Sequence, residues 1–457
     1  MVLEDYLYFS PSPSIREYKD PFSPQHYIYT APTPSDPEKQ FRINETGIEV
    51  IALFDGTRTY QDIINHLANK HGDPKEVIDA KVAPFIDEMV KRYKYQIIKQ
   101  HEPTLNEIHI TTFKTIYPTV ANLEITSKCN IACKHCYGKF DNKNDSEMSL
   151  DNVFYLLDSL KEIGLYTLEI TGGDPSVHPH AATIINRANE VGIPTIMFLT
   201  NGVRITDELF TALEAIKHKL FVQIDLHSLD ENYYDWFTNS AGKLKIVKSN
   251  IIRLVEAGIR VRVVSIFTQG NVHELTAIGD WAHAHGAKLY APSVVTGMGR
   301  CEDMVANQEL FFSDVSQIKS FDDQCNEIKL KYPGFILESA LPETNCGAIH
   351  SSVSIKSNGD IKLCNMDTGE YFNLDFGNVF SERISTIFTR NQELLQKFRE
   401  IVMPDRDSDD CTHCESKQYC SACILRGVLS SKRMGGNCKW FEKLDPMIKE
   451  RLNPYSN

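Results

Sequence analysis

Three cysteines in a short stretch of this chain could hold most of an iron–sulfur cluster. Cys129, Cys133 and Cys136 are spaced C-x₃-C-x₂-C and follow a predicted β-strand. A four-iron, four-sulfur cluster needs four ligands, which are normally cysteine thiolates. A local triplet would therefore leave one iron open to a small molecule. Three unrelated reduced thiols or part of a zinc site are the alternatives, although zinc usually prefers two C-x₂-C pairs.

A second group of cysteines lies between residues 346 and 438. Its seven members are Cys346, Cys364, Cys411, Cys414, Cys420, Cys423 and Cys438. The two C-x₂-C pairs in this group are compatible with a zinc knuckle, but seven cysteines exceed the ligands of one zinc site. Cys301 and Cys325 stand apart from both groups. Without a signal sequence, this clustering indicates metal or redox chemistry rather than a disulfide framework.

Composition and charge argue against some classes of protein. The chain has 457 residues and a formal net charge of -13, which argues against a nucleic-acid-binding protein because such proteins carry a basic surface. No run approaches the roughly 18 apolar residues of a membrane helix. The acidic start of the chain, Met1 to Tyr6, does not resemble a secretory signal. We therefore expect a cytoplasmic protein with no nucleic-acid or membrane partner.

The elements that must position the first cysteine triplet alternate between strands and amphipathic helices from about residue 118 to 300. Six strands are predicted, at 120–126, 166–171, 194–200, 220–226, 260–267 and 288–293. Strands that alternate with helices predict βα units and a parallel sheet. The triplet would follow the first strand, at the carboxyl ends of the strands, where barrel enzymes normally place their chemistry.

Three later strands end in polar or glycine-rich turns. The second ends at Gly172-Gly173-Asp174, the third ends at Asn201, and the fourth ends near Asp225. Glycine allows the backbone to approach a ligand closely. We expect these turns at the same edge of the sheet as the triplet.

Residues 1 to about 105 contain no cysteine and are predicted to form a separate small domain. Apolar residues recur at helical spacing in three segments, around residues 48–54, 63–67 and 78–89. Gly56 suits the end of the first helix, and Thr59 suits the start of the second. Three short helices with flanking strands predict a winged-helix-like α+β domain, and a purely structural cap is the alternative.

The triplet followed by Tyr137 resembles the signature of the radical S-adenosylmethionine (SAM) superfamily. In that family the methionine moiety of SAM chelates the open iron, and one electron from the cluster cleaves SAM. The resemblance implies a partial (β/α)₆ barrel that is similar to a TIM barrel. It also implies that six residues contact SAM: Tyr137, Gly172, Gly173, Asp174, Asn201 and Asp225. The family usually has glutamate where this chain has Asp174, which is one methylene shorter.

Two further resemblances flank this core. The run from Asn44 to Gly47, with Asp55, Gly56 and Thr59 behind it, resembles the RiPP recognition element. RiPPs are ribosomally made, post-translationally modified peptides, and in this family a leader peptide adds as a strand to the edge of the domain's sheet. The cysteine pattern after residue 346 resembles the SPASM domain, which holds two auxiliary iron–sulfur clusters. Its usual C-x₃-C ending is C-x₂-C here.

The SPASM resemblance implies two ligand sets. Cys346, Cys364 and Cys423 would hold the first auxiliary cluster, with the fourth position open or filled by another residue. Cys325 is the available candidate for that position, and a spare thiol is its alternative role. The second set would be Cys411, Cys414, Cys420 and Cys438. The chain would then bind three clusters: one SAM-binding [4Fe-4S] cluster and two auxiliary clusters, which we expect to be [4Fe-4S].

Together these resemblances imply a RiPP maturase with three domains. A leader-binding domain would span 1–105, the radical SAM core and a bridge 106–335, and the SPASM domain 336–457. The implied reaction forms thioether crosslinks, as in sactipeptides and ranthipeptides, with electrons from a donor such as flavodoxin or ferredoxin. Alternative products are a carbon–carbon or ether crosslink, an epimer or a formylglycine-type oxidation. A non-catalytic scaffold that binds zinc and peptide is the alternative from another class.

Overall fold

A computed structural model of the chain divides into two compact units, Met1–Ile116 and Tyr117–Asn457. It describes residues 5–10, 14–18, 26–30, 40–91, 95–303, 306–312, 314–336, 345–372, 374–405, 408–411, 414, 420, 422–435 and 437–452.

The N-terminal unit combines two small sheets with three helices. Its strands are β1 (Tyr6–Ser10), β2 (Ser14–Tyr18), β3 (His26–Thr30), β4 (Gln40–Ile43), β5 (Asp55–Thr59), β6 (Gln96–Gln100) and β7 (His109–Phe113). Its helices are α1 (Glu45–Leu53), α2 (Tyr60–His71) and α3 (Lys75–Lys91). Strand β1 pairs antiparallel with β5 and β6, and the second sheet has the order β4-β3-β2-β7. The predicted winged-helix-like α+β domain is confirmed.

Local sequence explains where these helices begin and end. Thr59 starts α2 as predicted, since its side chain accepts a hydrogen bond from the Asp62 N–H while the Asp62 carboxylate accepts one from the Thr59 N–H. The prediction that Gly56 ends α1 was wrong, because the helix ends at Leu53 and Phe54 is its C-cap residue. Gly56 instead lies in β5 with a φ of 85°. A Cβ there would lie 2.3 Å from the Thr104 carbonyl oxygen, so this close approach requires glycine.

The second unit contains one eight-stranded sheet. Its strands are β8 (Val120–Thr126), β9 (Thr167–Gly172), β10 (Thr195–Thr200), β11 (Leu220–Asp225), β12 (Arg260–Phe267), β13 (Leu289–Val294), β14 (Ser352–Ile355) and β15 (Ile361–Lys362). Strands β8 to β13 are parallel and lie in chain order across the sheet. The predicted parallel barrel sheet is confirmed, and each predicted strand end agrees with the structure to within one residue.

Helices connect and follow these strands. They are α4 (Leu150–Glu162), α5 (Ala181–Glu190), α6 (Asp207–Ala215), α7 (Glu231–Thr238), α8 (Leu244–Glu256), α9 (Leu275–Ala284), α10 (Val315–Lys331), α11 (Ile384–Arg390), α12 (Gln392–Arg399), α13 (Ile424–Arg433), α14 (Lys439–Glu442) and α15 (Pro446–Arg451). In α4, four apolar residues on one face are fully buried: Val153, Leu156, Leu157 and Leu160. No helix in the described ranges is long and apolar enough to cross a membrane.

The C-terminal cysteine region contributes a strand to the barrel sheet, which the sequence did not predict. Strand β14 pairs in parallel with β8, with Ser352 opposite Val120 and Ile355 opposite Leu123. The Asn122 side chain donates a 2.8 Å hydrogen bond to the Ser352 hydroxyl. The strand that leads into the first cysteine triplet is therefore bonded directly to the region that carries the second cysteine group.

Candidate active site

The carboxyl ends of the barrel strands enclose a cavity of about 210 Å³. Eight of the residues predicted from the first triplet and the strand-end turns line it: Cys129, Cys133, Cys136, Tyr137, Gly172, Gly173, Asn201 and Asp225. Asp174 lies outside this lining. The parallel sheet thus brings together residues that are up to 96 positions apart, as expected for turns at one edge of a sheet.

The three thiols of the first triplet share one loop after β8. Cys129 is buried, and Cys133 and Cys136 are half-buried. Burial raises the pKa of Cys129 to about 12, and the negative charge of Asp174 adds to the effect. Burial also raises the pKa of Cys133, and the adjacent Cys136 and Cys129 add to that shift. Grouped buried thiols resist ionisation unless a cation compensates their charge, so this triplet suits a metal cluster.

The glycine turn after β9 packs directly against the start of the cluster loop. A Cβ on Gly172 would lie 2.1 Å from the Thr126 carbonyl oxygen, and one on Gly173 would lie 2.1 Å from the Lys128 carbonyl oxygen. The Gly173 N–H also donates a 2.8 Å hydrogen bond to the Thr126 carbonyl. Glycine is required at both positions by this contact, which positions the turn beside the triplet.

The Asp174 carboxylate is occupied by its own neighbours rather than turned toward the cavity. It is 1% exposed and accepts hydrogen bonds from the Ser176 N–H at 2.8 Å, the Thr200 hydroxyl at 2.9 Å and the Asn201 N–H at 2.8 Å. The predicted contact of Asp174 with SAM stays a prediction, and these hydrogen bonds give the carboxylate a further, structural role. Asp174 joins the second turn to the third and thereby positions Asn201.

Asn201 and Asp225 do present polar atoms near the triplet. The Asn201 side-chain amide donates a 2.6 Å hydrogen bond to the Asn130 side chain and lies 3.6 Å from the Cys129 sulfur. Burial, together with the charge of Asp174, raises the pKa of Asp225 to about 7. Within the described ranges, no side chain or backbone group donates a hydrogen bond to the Asp225 carboxylate. It is therefore available to accept one from a ligand in the cavity.

Arg300 clamps the cluster loop, which the sequence analysis missed. Its guanidinium donates hydrogen bonds to the carbonyl oxygens of Cys133 at 3.0 Å, Lys139 at 3.0 Å and Phe140 at 2.7 Å. Its backbone N–H donates to the Cys136 carbonyl at 3.0 Å. Arg300 follows the sixth strand, so its place at a carboxyl-end turn was the available sequence signal.

Two histidines lie beside the triplet with unsatisfied ring nitrogens. The rings of His135 and His227 have centroids 4.7 Å apart, and Phe237 stacks on His135 at 4.6 Å. Nδ1 of His135 and Nε2 of His227 are buried without a hydrogen-bond partner among the described residues. Burial lowers the pKa of His135 to about 4 and lowers that of His227 as well, so both are neutral. Orphaned buried polar atoms beside a cysteine loop indicate a ligand site rather than an apolar core.

Charge interactions link three of the C-terminal cysteines. Burial raises the pKa of Cys364 to about 12, and the neighbouring Cys423 contributes. Burial and Cys423 also raise the pKa of Cys346. Cys325 lies on α10, where the charges that act on it come from its own helix. The assignment of these three cysteines to one cluster, and of Cys325 as a further ligand, stays a prediction.

The other four C-terminal cysteines form a second set. Burial raises the pKa of Cys420 to about 11, and the nearby thiolates of Cys411, Cys414 and Cys438 contribute. Four grouped thiols suit either an iron–sulfur cluster or zinc. The presence of a separate three-thiol set favours clusters, because zinc in structural sites is almost always bound by four ligands.

Comparison with known families assigns all three parts of the chain. Residues 123–274 match the radical SAM superfamily, residues 35–93 match coenzyme PQQ synthesis protein D (PqqD), and residues 346–423 match the iron–sulfur cluster-binding domain called SPASM. The PqqD match lies in the N-terminal unit, and the radical SAM and SPASM matches lie in the second unit.

Individual relatives agree with this organisation. The chain is 27% identical over 417 residues to the antilisterial bacteriocin subtilosin biosynthesis protein AlbA of Bacillus subtilis, which covers 89% of this chain and 90% of AlbA. It is 26% identical to the mycofactocin maturase MftC of Mycobacterium tuberculosis over 62% of this chain and 73% of MftC.

A solved structure has the same fold. Streptococcus suis SuiB bound to its precursor peptide SuiA superimposes with a TM-score of 0.60 at 13% identity, over 92% of this chain and 96% of SuiB. The chain therefore has a PqqD-like domain, a radical SAM core and a SPASM domain in this order, which supports its assignment as a SPASM-type maturase of ribosomally made peptides.

Proposed function

We propose that this chain installs thioether crosslinks between a cysteine sulfur and a carbon of a ribosomal precursor peptide. The observation that carries the proposal is the single cavity that joins the cysteine triplet to Gly172, Gly173, Asn201 and Asp225. A relative named for subtilosin biosynthesis adds support, since its sequence aligns over nearly the whole chain.

Cys129, Cys133 and Cys136 would hold a [4Fe-4S] cluster with one iron open to SAM. When bound, the cluster and SAM would supply a 5′-deoxyadenosyl radical to take one hydrogen atom from a carbon of the peptide. The cysteine thiol would lose its proton as its sulfur bonds to that carbon, and the one remaining electron would pass to an iron–sulfur cluster. Asp225 would accept a hydrogen bond from a ribose hydroxyl of SAM. Gly172 and Gly173 keep the second turn close to the cluster loop, and Tyr137 and Asn201 form part of the cavity wall.

The two C-terminal thiol sets would hold two auxiliary [4Fe-4S] clusters. Cys346, Cys364 and Cys423 provide three ligands for four irons, which leaves a position for another ligand such as a substrate thiolate. The second set, with four thiols, would complete its cluster without help: Cys411, Cys414, Cys420 and Cys438. Cys325 is not needed for either set.

The N-terminal unit would bind the leader of the precursor, within the proposed domain 1–105. Its match to PqqD over residues 35–93 and the precursor peptide in the SuiB structure support this role. An extended leader would add to the edge of a sheet by backbone hydrogen bonds. Capture of the leader would raise the effective concentration of the core peptide at the barrel in domain 106–335, which domain 336–457 follows.

The proposal includes an electron donor and a compartment. A flavodoxin or ferredoxin would reduce the first cluster. A cytoplasmic location fits twelve cysteines that are all free in the structure, because that compartment keeps thiols reduced.

Mass spectrometry of the precursor distinguishes this product from its alternatives. The substrate to test is any short cysteine-containing peptide that is found to be encoded next to this chain's gene, incubated anaerobically with reconstituted protein, SAM and dithionite. Each thioether removes two hydrogens and one thiol that iodoacetamide can alkylate. An unchanged mass with deuterium taken up from heavy water would indicate an epimerase, and loss of hydrogens with all thiols retained would indicate a carbon–carbon or ether crosslink.

A further inference from the structure

A buried ion pair connects the barrel to the C-terminal region. Glu124 on β8 and Lys362 on β15 form a salt bridge in which their side chains are 7% and 2% exposed. The Lys362 ammonium also donates hydrogen bonds to the carbonyl oxygens of Asn365 at 3.2 Å and Asp367 at 2.7 Å. All three N–H bonds of the ammonium are therefore used, which is the condition under which a buried cation is tolerated.

Tyr137 ties this ion pair to the cluster loop. Its hydroxyl donates a 3.2 Å hydrogen bond to the Glu124 carboxylate, and the Lys362 ammonium lies 5.3 Å from the centre of its ring. Tyr137 directly follows Cys136 of the first triplet in the chain, so these contacts join the ion pair to the cluster loop.

The loop that Lys362 holds reaches the cavity. Asp367 closes this loop, since its N–H donates to the Cys364 carbonyl at 3.1 Å and its carboxylate accepts from the Leu363 N–H at 3.2 Å. Asn365, in the middle of the loop, lines the same cavity as the first triplet. Its position depends on two hydrogen bonds from a side chain that Glu124 anchors to the barrel.

We propose that Lys362 is a positioning residue that fixes the loop from Cys364 to Asp367 at the mouth of the barrel. By this contact it places Asn365 in the wall of the cavity beside the first triplet and sets the position of the Cys346, Cys364 and Cys423 set relative to that triplet. This inference rests on the proposed function, because it assumes that both cysteine sets hold clusters.

The test uses the full chain with four substitutions. Lys362→Met removes the anchor but leaves Glu124 without its cation, and Glu124→Gln combined with Lys362→Met removes both charges. Because replacing both members of a buried pair is often neutral for stability, the double variant keeps the test valid if the single variant unfolds. Lys362→Arg keeps the charge and the donors, and Lys331→Met, which breaks an exposed ion pair with Asp280, is the matched control.

Two readouts are compared across these variants. The first is the electron paramagnetic resonance (EPR) spectrum of the auxiliary clusters, recorded in a background with Cys129, Cys133 and Cys136 changed to alanine. The second is the number of 5′-deoxyadenosine molecules formed per modified peptide in the chain with its triplet intact. We expect Lys362→Met and the double variant to alter the spectrum and to raise that ratio at least fivefold. Lys362→Arg should restore most of the original ratio of deoxyadenosine to modified peptide. Lys331→Met should give the same spectrum and ratio as the unchanged chain.

Unchanged spectra and ratios in both Lys362→Met variants would overturn the inference while leaving the proposed function intact. A spectrum without iron–sulfur signals in the triple-alanine background would instead contradict the proposed function itself, and the inference with it. The EPR spectrum of the triple-alanine background distinguishes the two failures, because it shows whether the auxiliary clusters are present.

Discussion

Two aspartates at strand ends of this site, Asp174 and Asp225, have different surroundings. Asp174 is surrounded by donors from Ser176, Thr200 and Asn201. Asp225 lines the cavity, and none of the described residues donates a hydrogen bond to its carboxylate. Asp174 therefore holds two strand-end turns together, and Asp225 is placed to accept a hydrogen bond from a ligand in the cavity. A strand-end aspartate in the sequence does not reveal which role it has, because that depends on donors from other turns.

Asp225→Asn should weaken SAM binding about tenfold above pH 7, where Asp225 is mostly ionised, since the amide replaces a charged acceptor for a ribose hydroxyl and a hydrogen bond to a charged group contributes at least about 1.5 kcal/mol. Isothermal titration of the reconstituted protein with SAM measures the effect. Asp207→Asn, which alters an exposed carboxylate paired with Arg253, is the control. Equal affinity in all three proteins would remove Asp225 from the SAM site.

Arg300→Gln should lower the iron bound at the first triplet by more than half, because the clamp on the cluster loop loses three carbonyl contacts. Arg300→Lys should give an intermediate value, since an ammonium keeps the charge but cannot reproduce the planar fork of the guanidinium. Iron analysis and the change in the EPR spectrum on addition of SAM provide the measurement. Arg253→Gln on the outside of the barrel should retain full iron.

At the scale of elements, the turn after β9 packs against the cluster loop so closely that neither can move alone. Gly173→Ala would bring a Cβ to 2.1 Å from the Lys128 carbonyl oxygen, so the loop that carries Cys129 must move. We expect the rate of SAM cleavage to fall at least a hundredfold and the protein to bind less iron. Gly72→Ala is the control, because Gly72 follows the end of α2 and no atom lies within 4 Å of a Cβ at this position. This substitution should lower the stability by only about 1 kcal/mol, because the φ of Gly72 is positive. Full activity in Gly173→Ala would contradict this account of the turn.

Helix packing in the N-terminal unit provides a pH-dependent prediction. Burial of Glu49 on α1 would raise its pKa, but hydrogen bonds from Lys70 and His71 on α2 outweigh this and lower it. A carboxylate with a lowered folded-state pKa stabilises the protein above its unfolded pKa of about 4.3, and that stability is lost as the pH falls through the folded value.

Glu49→Gln should therefore destabilise this unit by about 1 kcal/mol at pH 7 and have little effect near pH 3. Hydrogen exchange of peptides from α2, corrected for the intrinsic rate at each pH, tests this. Asp87→Asn breaks an exposed pair with Lys91 and should change exchange less. An effect of Glu49→Gln that is the same at both pH values would contradict the assignment.

The sequence predicted the repeating elements well because their periodicity is local. Strands β8 and β12 have the predicted bounds, and Thr59 caps α2 as expected. The pairing of β14 with β8 was not predicted, since it joins residues more than 200 positions apart through backbone hydrogen bonds. The contacts of Arg300 with the cluster loop were also not predicted. Their acceptors are backbone carbonyl oxygens, which every residue type has. The assignment of individual cysteines to clusters stays a prediction.

At the scale of the whole molecule, the family matches follow one another along the chain as PqqD, radical SAM core and SPASM domain. The first triplet and both C-terminal thiol sets belong to the second compact unit, and the PqqD match falls in the first. Peptide capture and radical chemistry are thus assigned to separate units, while all predicted clusters share one unit whose sheet includes β14.

The most direct test of the central claim is the formation of 5′-deoxyadenosine by the anaerobically reconstituted chain with SAM and dithionite, measured with and without the precursor peptide. We predict that deoxyadenosine forms, that its amount matches the modified peptide, and that changing Cys129, Cys133 and Cys136 to alanine abolishes both products. A colourless protein that carries zinc and forms no deoxyadenosine would contradict the claim and favour the peptide-binding scaffold.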